Sequence, residues 1–468
     1  MDVIGHNKSV TETSETLTTP RILVLTTEPL PLNGCSTTGA GLRAWGLFKG
    51  LCAHNIDAII ATPAQIDIAN TPDNVLFFRR NHLSELIEQV QPTAIVMQHW
   101  GLVCELPSPL SIPLAIDLAG PHLMERLFWG NKDLSKDLTE KLDALRQADF
   151  ITVSGAYQRH YFYSYLSMAG FDLRAQDIPI IPFSVEPLSS DDKSAIANSQ
   201  REPYSFVYGG MFLAWQNPEK AIRALLDEMD KVNKGKLYFF GGTHPVIDAS
   251  AGRFAELNEF LQNHPRVTYS GIVPYEQLKA VYQKVSVALD LMAFNPEREL
   301  AYTTRTMVYL RYGLPVLHDN YSELGAIIEK TNCGWACPPD DEDNFRATIR
   351  SILNDESDLE RKRLNALIIS QSHDWNHTVE PLVQWCQNPQ YRENKLQYSN
   401  SNEMKQLRQK YAEVSHQYET LRGKFSVRLA CKLPALAILL ALPAWPCAWI
   451  AARLLNHNFS STCDKEES

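Results

Sequence analysis

Apolar residues enter the chain abruptly. Ile22-Leu23-Val24-Leu25 form an unbroken run of the kind shown by parallel strands covered on both faces. A Pro- and Gly-bearing loop follows, and Gly39-Ala40-Gly41 then opens a helical pattern carried by Leu42, Trp45, Leu47, Phe48 and Leu51. Short strand-like runs recur at 58–60, 75–78, 94–97, 113–116 and 150–153, with helical stretches at 83–90 and 134–148 between them. A passage rich in Ser, Asp and Pro, 186–203, predicts an interdomain linker. The rhythm then restarts, with strand-like runs at 205–208, 237–240, 267–269, 285–289 and 315–317. Strands alternating with helices imply parallel crossovers, so the pattern predicts two successive α/β domains, 21–190 and 203–353. Strand order does not follow from it.

Beyond 353 the strand signals stop. Residues 354–388 predict closing helices (356–370 and 379–387), with Trp375 and Trp385 as packing anchors. Within 389–428, Met404, Leu407, Tyr411, Val414, Tyr418, Leu421 and Phe425 alternate spacings of three and four. That is either a coiled-coil seam joining copies of the chain through 404–425, or an amphipathic helix lying on its own domain. In 429–455, the stretch 433–452 carries no charge and is long enough for about one bilayer crossing. Pro434, Pro443 and Pro446 interrupt it, and Trp445 and Trp449 suit an interface. Arg422, Lys424, Arg428 and Lys432 precede it, and an acidic tail, 456–468, follows. The stretch is expected to span the membrane or re-enter it as a Pro-broken hairpin, with a buried core helix as the alternative. The positive-inside rule places the folded domains in the cytoplasm. The polar, Ser/Thr-rich residues 1–20 are expected to form a flexible leader.

A length of 468 residues exceeds one ordinary core, which agrees with two domains. The net charge of −10 argues against a nucleic-acid partner. Nine scattered cysteines without paired spacing suggest free thiols in a reducing compartment. The sequons at Asn7, Asn376 and Asn458 are taken as chance.

Gly39-Ala40-Gly41 lies between the first strand and first helix, where backbone amides and the helix dipole favour an anion. Arg43 can add a cation there, although a turn requiring small residues explains the glycines equally. The stretch 21–57, with Thr38-Gly39-Ala40-Gly41-Leu42-Arg43, resembles the opening of GT-B-fold glycosyltransferases of the group 1, family 4-like kind. Tyr208-Gly209-Gly210 followed by Trp215-Gln216-Asn217-Pro218-Glu219-Lys220 is similar to that family's donor loop and helix. Residues 267–278, with Ser270-Gly271, resemble its next strand and glycine turn, and 297–316, ending Gly313-Leu314-Pro315-Val316, its donor-binding block. The resemblance runs from about 21 to 387 and is sharpest over 297–323.

The chain departs from the family in places. Val308 and Leu300 stand where many members carry two glutamates, Arg305 where a lysine is common, and Gln216-Asn217 where Lys-Gly is common. The resemblance implies two Rossmann-like domains of the GT-B fold closing over a nucleotide-diphosphate sugar, with no metal or other cofactor. Charge builds on the departing diphosphate, and fixed donors and cations aimed at it are the main catalytic lever. Arg305 is the first candidate, since a guanidinium grips phosphate in bidentate fashion. Glu299 would orient it or bind sugar hydroxyls. Gly209, Gly210, Trp215, Gln216, Asn217, Glu297, Thr304 and the helix start Tyr321-Ser322-Glu323 are the further donor candidates. His99, Asp117 and His122 follow first-domain strands, whose carboxyl ends should face the cleft, and are candidates for a base or for holding the acceptor. An Arg305–Glu299 structural pair, and plain structural polar groups at the other sites, are the alternatives.

Residues 340–343 are read as an acidic helix N-terminus. Asp290 ends a strand without a partner carboxylate, and His318-Asp319 and His373-Asp374 lack a nucleophile motif.

The expected activity is sugar transfer to a membrane-associated acceptor, such as a lipid-linked glycan of a surface polysaccharide. Its expected place is the cytoplasmic face of the inner (plasma) membrane. A sugar-nucleotide epimerase of the same fold and a catalytically silent membrane scaffold are the rivals.

Overall fold

The computed structural model describes residues 20–63, 71–80, 82–198, 200–244 and 250–393, all within one compact unit. The first domain begins β1 (Arg21–Leu25), α1 (Gly39–Ala53), β2 (Asp57–Pro63), β3 (Val75–Phe78) and α2 (Leu83–Val90). It continues β4 (Ala94–Gln98), β5 (Leu114–Leu118), α3 (His122–Phe128), α4 (Ser135–Gln147), β6 (Phe150–Val153) and α5 (Ala156–Met168). Ile22 to Leu25 are wholly buried because β1 lies between two parallel neighbours, Leu23 standing opposite Ile59 of β2 and Ile95 of β4.

A connecting helix, α6 (Ser190–Asn198), leads to the second domain. There β7 (Ser205–Met211), α7 (Glu219–Val232), β8 (Lys236–Gly242), α8 (Ala255–Asn263), β9 (Val267–Tyr269) and α9 (Tyr275–Lys284) come first. They are followed by β10 (Val287–Asp290), α10 (Pro296–Leu300), α11 (Thr304–Arg311), β11 (Val316–Asp319), α12 (Glu323–Thr331), β12 (Gly334–Cys337) and α13 (Glu342–Ile352). The chain ends, among the described residues, with α14 (Glu356–Ser372), α15 (Trp375–Thr378) and α16 (Glu380–Gln387).

The two sheets are entirely parallel and share one plan. Their orders are β3-β2-β1-β4-β5-β6 and β12-β11-β10-β7-β8-β9, identical when each is counted from its own first strand. Strand order reverses beside β1 and beside β7, and ligands of such sheets bind outside the carboxyl ends at that switch point.

The last helices return to the first domain. Val379, Leu382, Val383 and Cys386 join the cluster that buries Leu47, Phe48 and Leu51 of α1, and Trp385 stacks on Phe150 at 5.4 Å. A bridge between Val185 and Asp374 lays the two interdomain crossings side by side.

Two elements were not anticipated from the sequence. Within the expected linker 186–203, Ser189 accepts from the Asp192 amide at 3.0 Å, and Asp192 accepts from the Ser189 amide at 3.1 Å. That reciprocal pair is a capping box, so the Ser/Asp run starts α6 instead of loosening the chain. The half-buried edge strand β12 (Gly-Trp-Ala-Cys) has only a three-residue apolar run without β-branched residues and was not anticipated. Asp341 caps α13 by accepting from Asn344, in keeping with the acidic helix start expected at 340–343. No helix among the described residues is long and apolar enough to cross a membrane. The leader (1–19), the heptad seam at 404–425, the apolar stretch in 429–455 and the acidic tail 456–468 lie outside the described residues.

Candidate active site

A cavity of about 500 Å³ opens between the domains, at the carboxyl ends of both sheets, where the shared topology places a site. Gly39, Ala40, Arg43, His99 and His122 line it from the first domain, and Gly209, Gly210, Trp215, Gln216, Glu297, Thr304 and Arg305 from the second. The two sides approach closely. A Cβ on Gly39 would come within 3.0 Å of Thr304 Oγ1, so a side chain there would wedge the walls apart.

Arg305, in the first turn of α11, lines the cavity and is held at three points. Its Nη1 donates to Tyr208 Oη at 2.8 Å, Nη2 donates to Gln216 Oε1, and Nε lies 3.4 Å from Asp290 Oδ1. A Cβ at Gly210 would overlap this guanidinium, which explains the glycine. Asp290, at the end of β10, is buried, and its Oδ2 accepts from Thr303 at 2.8 Å and Thr306 at 2.6 Å. Burial would raise its pKa, but Arg305 and His318 outweigh that and hold it below the ordinary carboxylate value. His318 is wholly buried, with Nε2 3.7 Å from Asp290 and Nδ1 3.4 Å from the Asp319 carboxylate. Burial alone would lower its pKa, yet the two carboxylates raise it to about 9. Asp290, for which the sequence offered no partner carboxylate, is thus the counter-ion shared by Arg305 and the buried His318.

That shift fixes a pH dependence. A histidine raised from 6.5 to about 9 contributes stability that is complete below about pH 6.5 and lost as pH rises through 9. The margin by which the parent chain outlasts His318→Gln in thermal melts is therefore expected to shrink steadily between about pH 6.5 and 9. A constant margin would show that the imidazole is neutral in the fold.

Glu297 and Arg298 start α10, where Asn295 caps by accepting both their amides. Both side chains are buried and paired in bidentate fashion, at 2.5 and 2.7 Å, and Arg298 Nη1 has no hydrogen-bond partner. Arg298 also lines the cavity and was not anticipated. Glu299 is a correction. The single turn of α10 directs 297 and 298 inward and leaves Glu299 exposed, outside the cavity lining, while Arg305 takes Asp290 as its partner.

The first-domain candidates also sort themselves. Arg43 and Asp117 form a buried bidentate pair, at 2.6 and 2.7 Å, and Thr152 donates to Asp117 at 2.6 Å. With both oxygens engaged and 1% exposure, Asp117 positions Arg43 and has no access to an acceptor hydroxyl, so it is not a base. His99 sits at φ 67°, and its Nδ1 receives the Gly101 amide at 3.3 Å. The neutral tautomer assigned by that contact carries its proton on Nε2, which makes this nitrogen a donor to substrate, not a base. Burial, aided by His122 and Lys141, holds the His99 pKa well below 6.5. His122 packs edge-on against it, the ring centroids 5.2 Å apart.

Several expected donor contacts are spoken for by the protein. The Gly41 amide is taken by Thr38 at 3.0 Å, and the Gly209 amide by Tyr309 Oη at 2.7 Å. Asn217 is exposed and accepts from the Glu219 amide, starting α7. The start of α12 does not line the cavity. Tyr321 donates to Met292, the Ser322 amide to Asp319, and Glu323 accepts from the Tyr157 amide across the domain boundary at 3.1 Å. Val308, at the position where the resembling family carries a glutamate, lines the cavity, so that departure falls in the site itself. Glu28, directly after β1, also lines it and was missed, although a carboxylate at the carboxyl end of the first strand was a readable signal.

Residues 189–368 match the family model of glycosyl transferases group 1. Among solved structures, sucrose-phosphate synthase from Thermosynechococcus elongatus aligns at 16% identity and TM-score 0.57, covering 78% of this chain and 98% of that one. The pneumococcal O-GlcNAc transferase GtfA aligns at 11% identity and 0.56, covering 79% and 99%. WaaG, a glycosyltransferase involved in lipopolysaccharide biosynthesis, aligns at 13% and 0.55, covering 78% and 100%. At such identities the likeness is one of fold, and it spans both domains. A search of the curated proteins found none that matches. The second domain thus matches the family model of glycosyl transferases group 1, and both domains together share the fold of the solved glycosyltransferases.

Proposed function

We propose that the chain moves a sugar from a nucleotide-diphosphate donor, held on the second-domain wall, to a lipid-linked glycan acceptor entering along the first. The observation that carries this reading is Arg305, its side chain 12% exposed, fixed at three points beside Arg298 in a cleft closed by both domains. A cavity of about 500 Å³ is of the size that takes a small organic ligand. Breaking the bond between the sugar and the diphosphate leaves a second negative charge on the terminal phosphate, and pre-placed guanidinium groups stabilise that charge without reorganising. Arg305 and Arg298 supply the positive field in place of a metal, Glu297 positions Arg298, Thr304 holds the donor, and His99 and His122 hydrogen-bond the acceptor.

The membrane part rests on sequence. The basic residues 422–432 and the uncharged stretch 433–452 would bring the cleft to the cytoplasmic face of the inner (plasma) membrane, where a lipid-borne acceptor of surface polysaccharide synthesis is found. The test is transfer by purified full-length chain from a panel of sugar nucleotides, with acceptor glycolipid supplied in liposomes or dissolved in detergent. Transfer that requires the liposome, and is lost on removing 429–468, supports the reading. Equal transfer to soluble sugars by the shortened chain overturns the membrane part, and conversion of donor to an isomer without acceptor overturns transfer in favour of epimerisation.

A further inference from the structure

The two walls of the cleft differ in the carboxylates that line them, Glu28 and Glu125 on the first and Glu297 on the second. Arg298 and Arg305 stand on the second-domain wall, where a diphosphate is expected. Every lining arginine has a carboxylate partner, Arg298 with Glu297 and Arg305 with Asp290 on that wall, and Arg43 with Asp117 and Arg126 with Asp137 at 3.3 Å on the first-domain wall. The carboxylates of Glu28 and Glu125 lie on that same wall.

Glu28 occupies a telling place. Its Oε2 accepts the Thr38 hydroxyl at 2.7 Å and lies 3.5 Å from Nε2 of His244, which belongs to the second domain. Thr38 in turn caps α1, the helix that begins at Gly39. The helix start that would otherwise attract an anion is therefore met by a fixed carboxylate. Burial would raise the Glu28 pKa, but hydrogen bonds from His244, Thr38 and Thr27 lower it, so the group is ionised at neutral pH. Its Oε1 accepts only a long contact, 3.4 Å, from Thr27, which leaves lone pairs free for further donors. An anionic acceptor brought to this wall meets like charge in a site shielded from water, whereas a neutral hydroxyl finds an acceptor for its proton.

Resting on the reading of sugar transfer, we propose that Glu28 selects the acceptor. The glycan end that enters beside Gly39 is an uncharged, polyhydroxylated sugar bound through its hydroxyls to Glu28, and a sugar phosphorylated at that end is rejected.

The experiment uses the full chain, Glu28→Gln and Glu28→Asp, each checked for an unaltered melting curve. The probes are glucose 6-phosphate and methyl glucoside. Binding of glucose 6-phosphate, followed by phosphorus NMR line width, is expected to be at least about tenfold tighter in Glu28→Gln than in the parent, and to stay weak in Glu28→Asp. With an active donor from the panel, the parent is expected to prefer the neutral sugar by at least about tenfold, and Glu28→Gln to lose most of that preference. Equal binding of glucose 6-phosphate by parent and Glu28→Gln, or parent transfer to the phosphorylated sugar as fast as to the neutral one, overturns the proposal. Hydrolysis of the donor by the parent without acceptor reports separately on the chemistry. If it and all transfer are absent, the transfer reading fails, while the binding comparison still decides the role of Glu28.

Discussion

Replacing Arg305 with alanine is expected to slow sugar transfer by about 100- to 1,000-fold, the usual loss when one fixed donor to developing charge is removed from an enclosed site. The guanidinium is held by Tyr208, Gln216 and Asp290, three groups on separate elements, so its direction is set before a donor arrives. Most of the loss should fall on kcat, because the charge that Arg305 meets grows as the bond breaks. Arg305→Lys tests the geometry separately. It keeps the charge but has one nitrogen where the guanidinium uses three, so it cannot hold all three anchors and is expected to recover activity only partly. Steady-state kinetics on both variants decide the matter. A loss confined to KM would mean that the arginine binds ground state and transition state alike.

The second large effect is on stability. Asp290→Asn is expected to cost on the order of 3–5 kcal/mol, because a buried carboxylate that balances two cations is replaced by a neutral amide. Arg305 and His318 would then face each other's charge across a group that no longer offsets it, and Thr303 and Thr306 would lose a charged acceptor. For a domain of this size that is a fall of roughly 10 °C in melting temperature. The same variant should lose transfer activity in fragments that remain folded, since Arg305 would lose one of its anchors. Calorimetry at neutral pH measures the first effect, and a melting point within a degree or two of the parent would show that the network is less charged than its geometry implies.

Much of the fold could be read from local pattern because parallel strands covered on both faces need continuous apolar runs. The runs at 22–25 and 94–97 stand out for that reason. The failures were equally physical. The edge strand β12 is half-buried and needs no such run, and α6 is announced by a capping box in a stretch whose composition suggests a linker.

The site was legible in outline only. Arg305, Glu297 and Gly210 were placed by resemblance to the family's donor loop and donor-binding block. Arg43 and Asp117 were each sensible candidates alone, yet they are partners 74 residues apart and neutralise one another. Which of Glu297 and Glu299 faces inward depends on a five-residue helix, too short for periodicity to decide. His318 and Asp290 matter through charge balance in the interior, which no short motif encodes.

The most direct test is a crystal structure of the full chain with the nucleoside diphosphate that the donor panel selects. Expected is a diphosphate in the interdomain cavity with an oxygen hydrogen-bonded to the Arg305 guanidinium. A nucleotide seated elsewhere, or a diphosphate in the cleft that leaves Arg305 untouched, would contradict the assignment of this arginine and the transfer chemistry built on it.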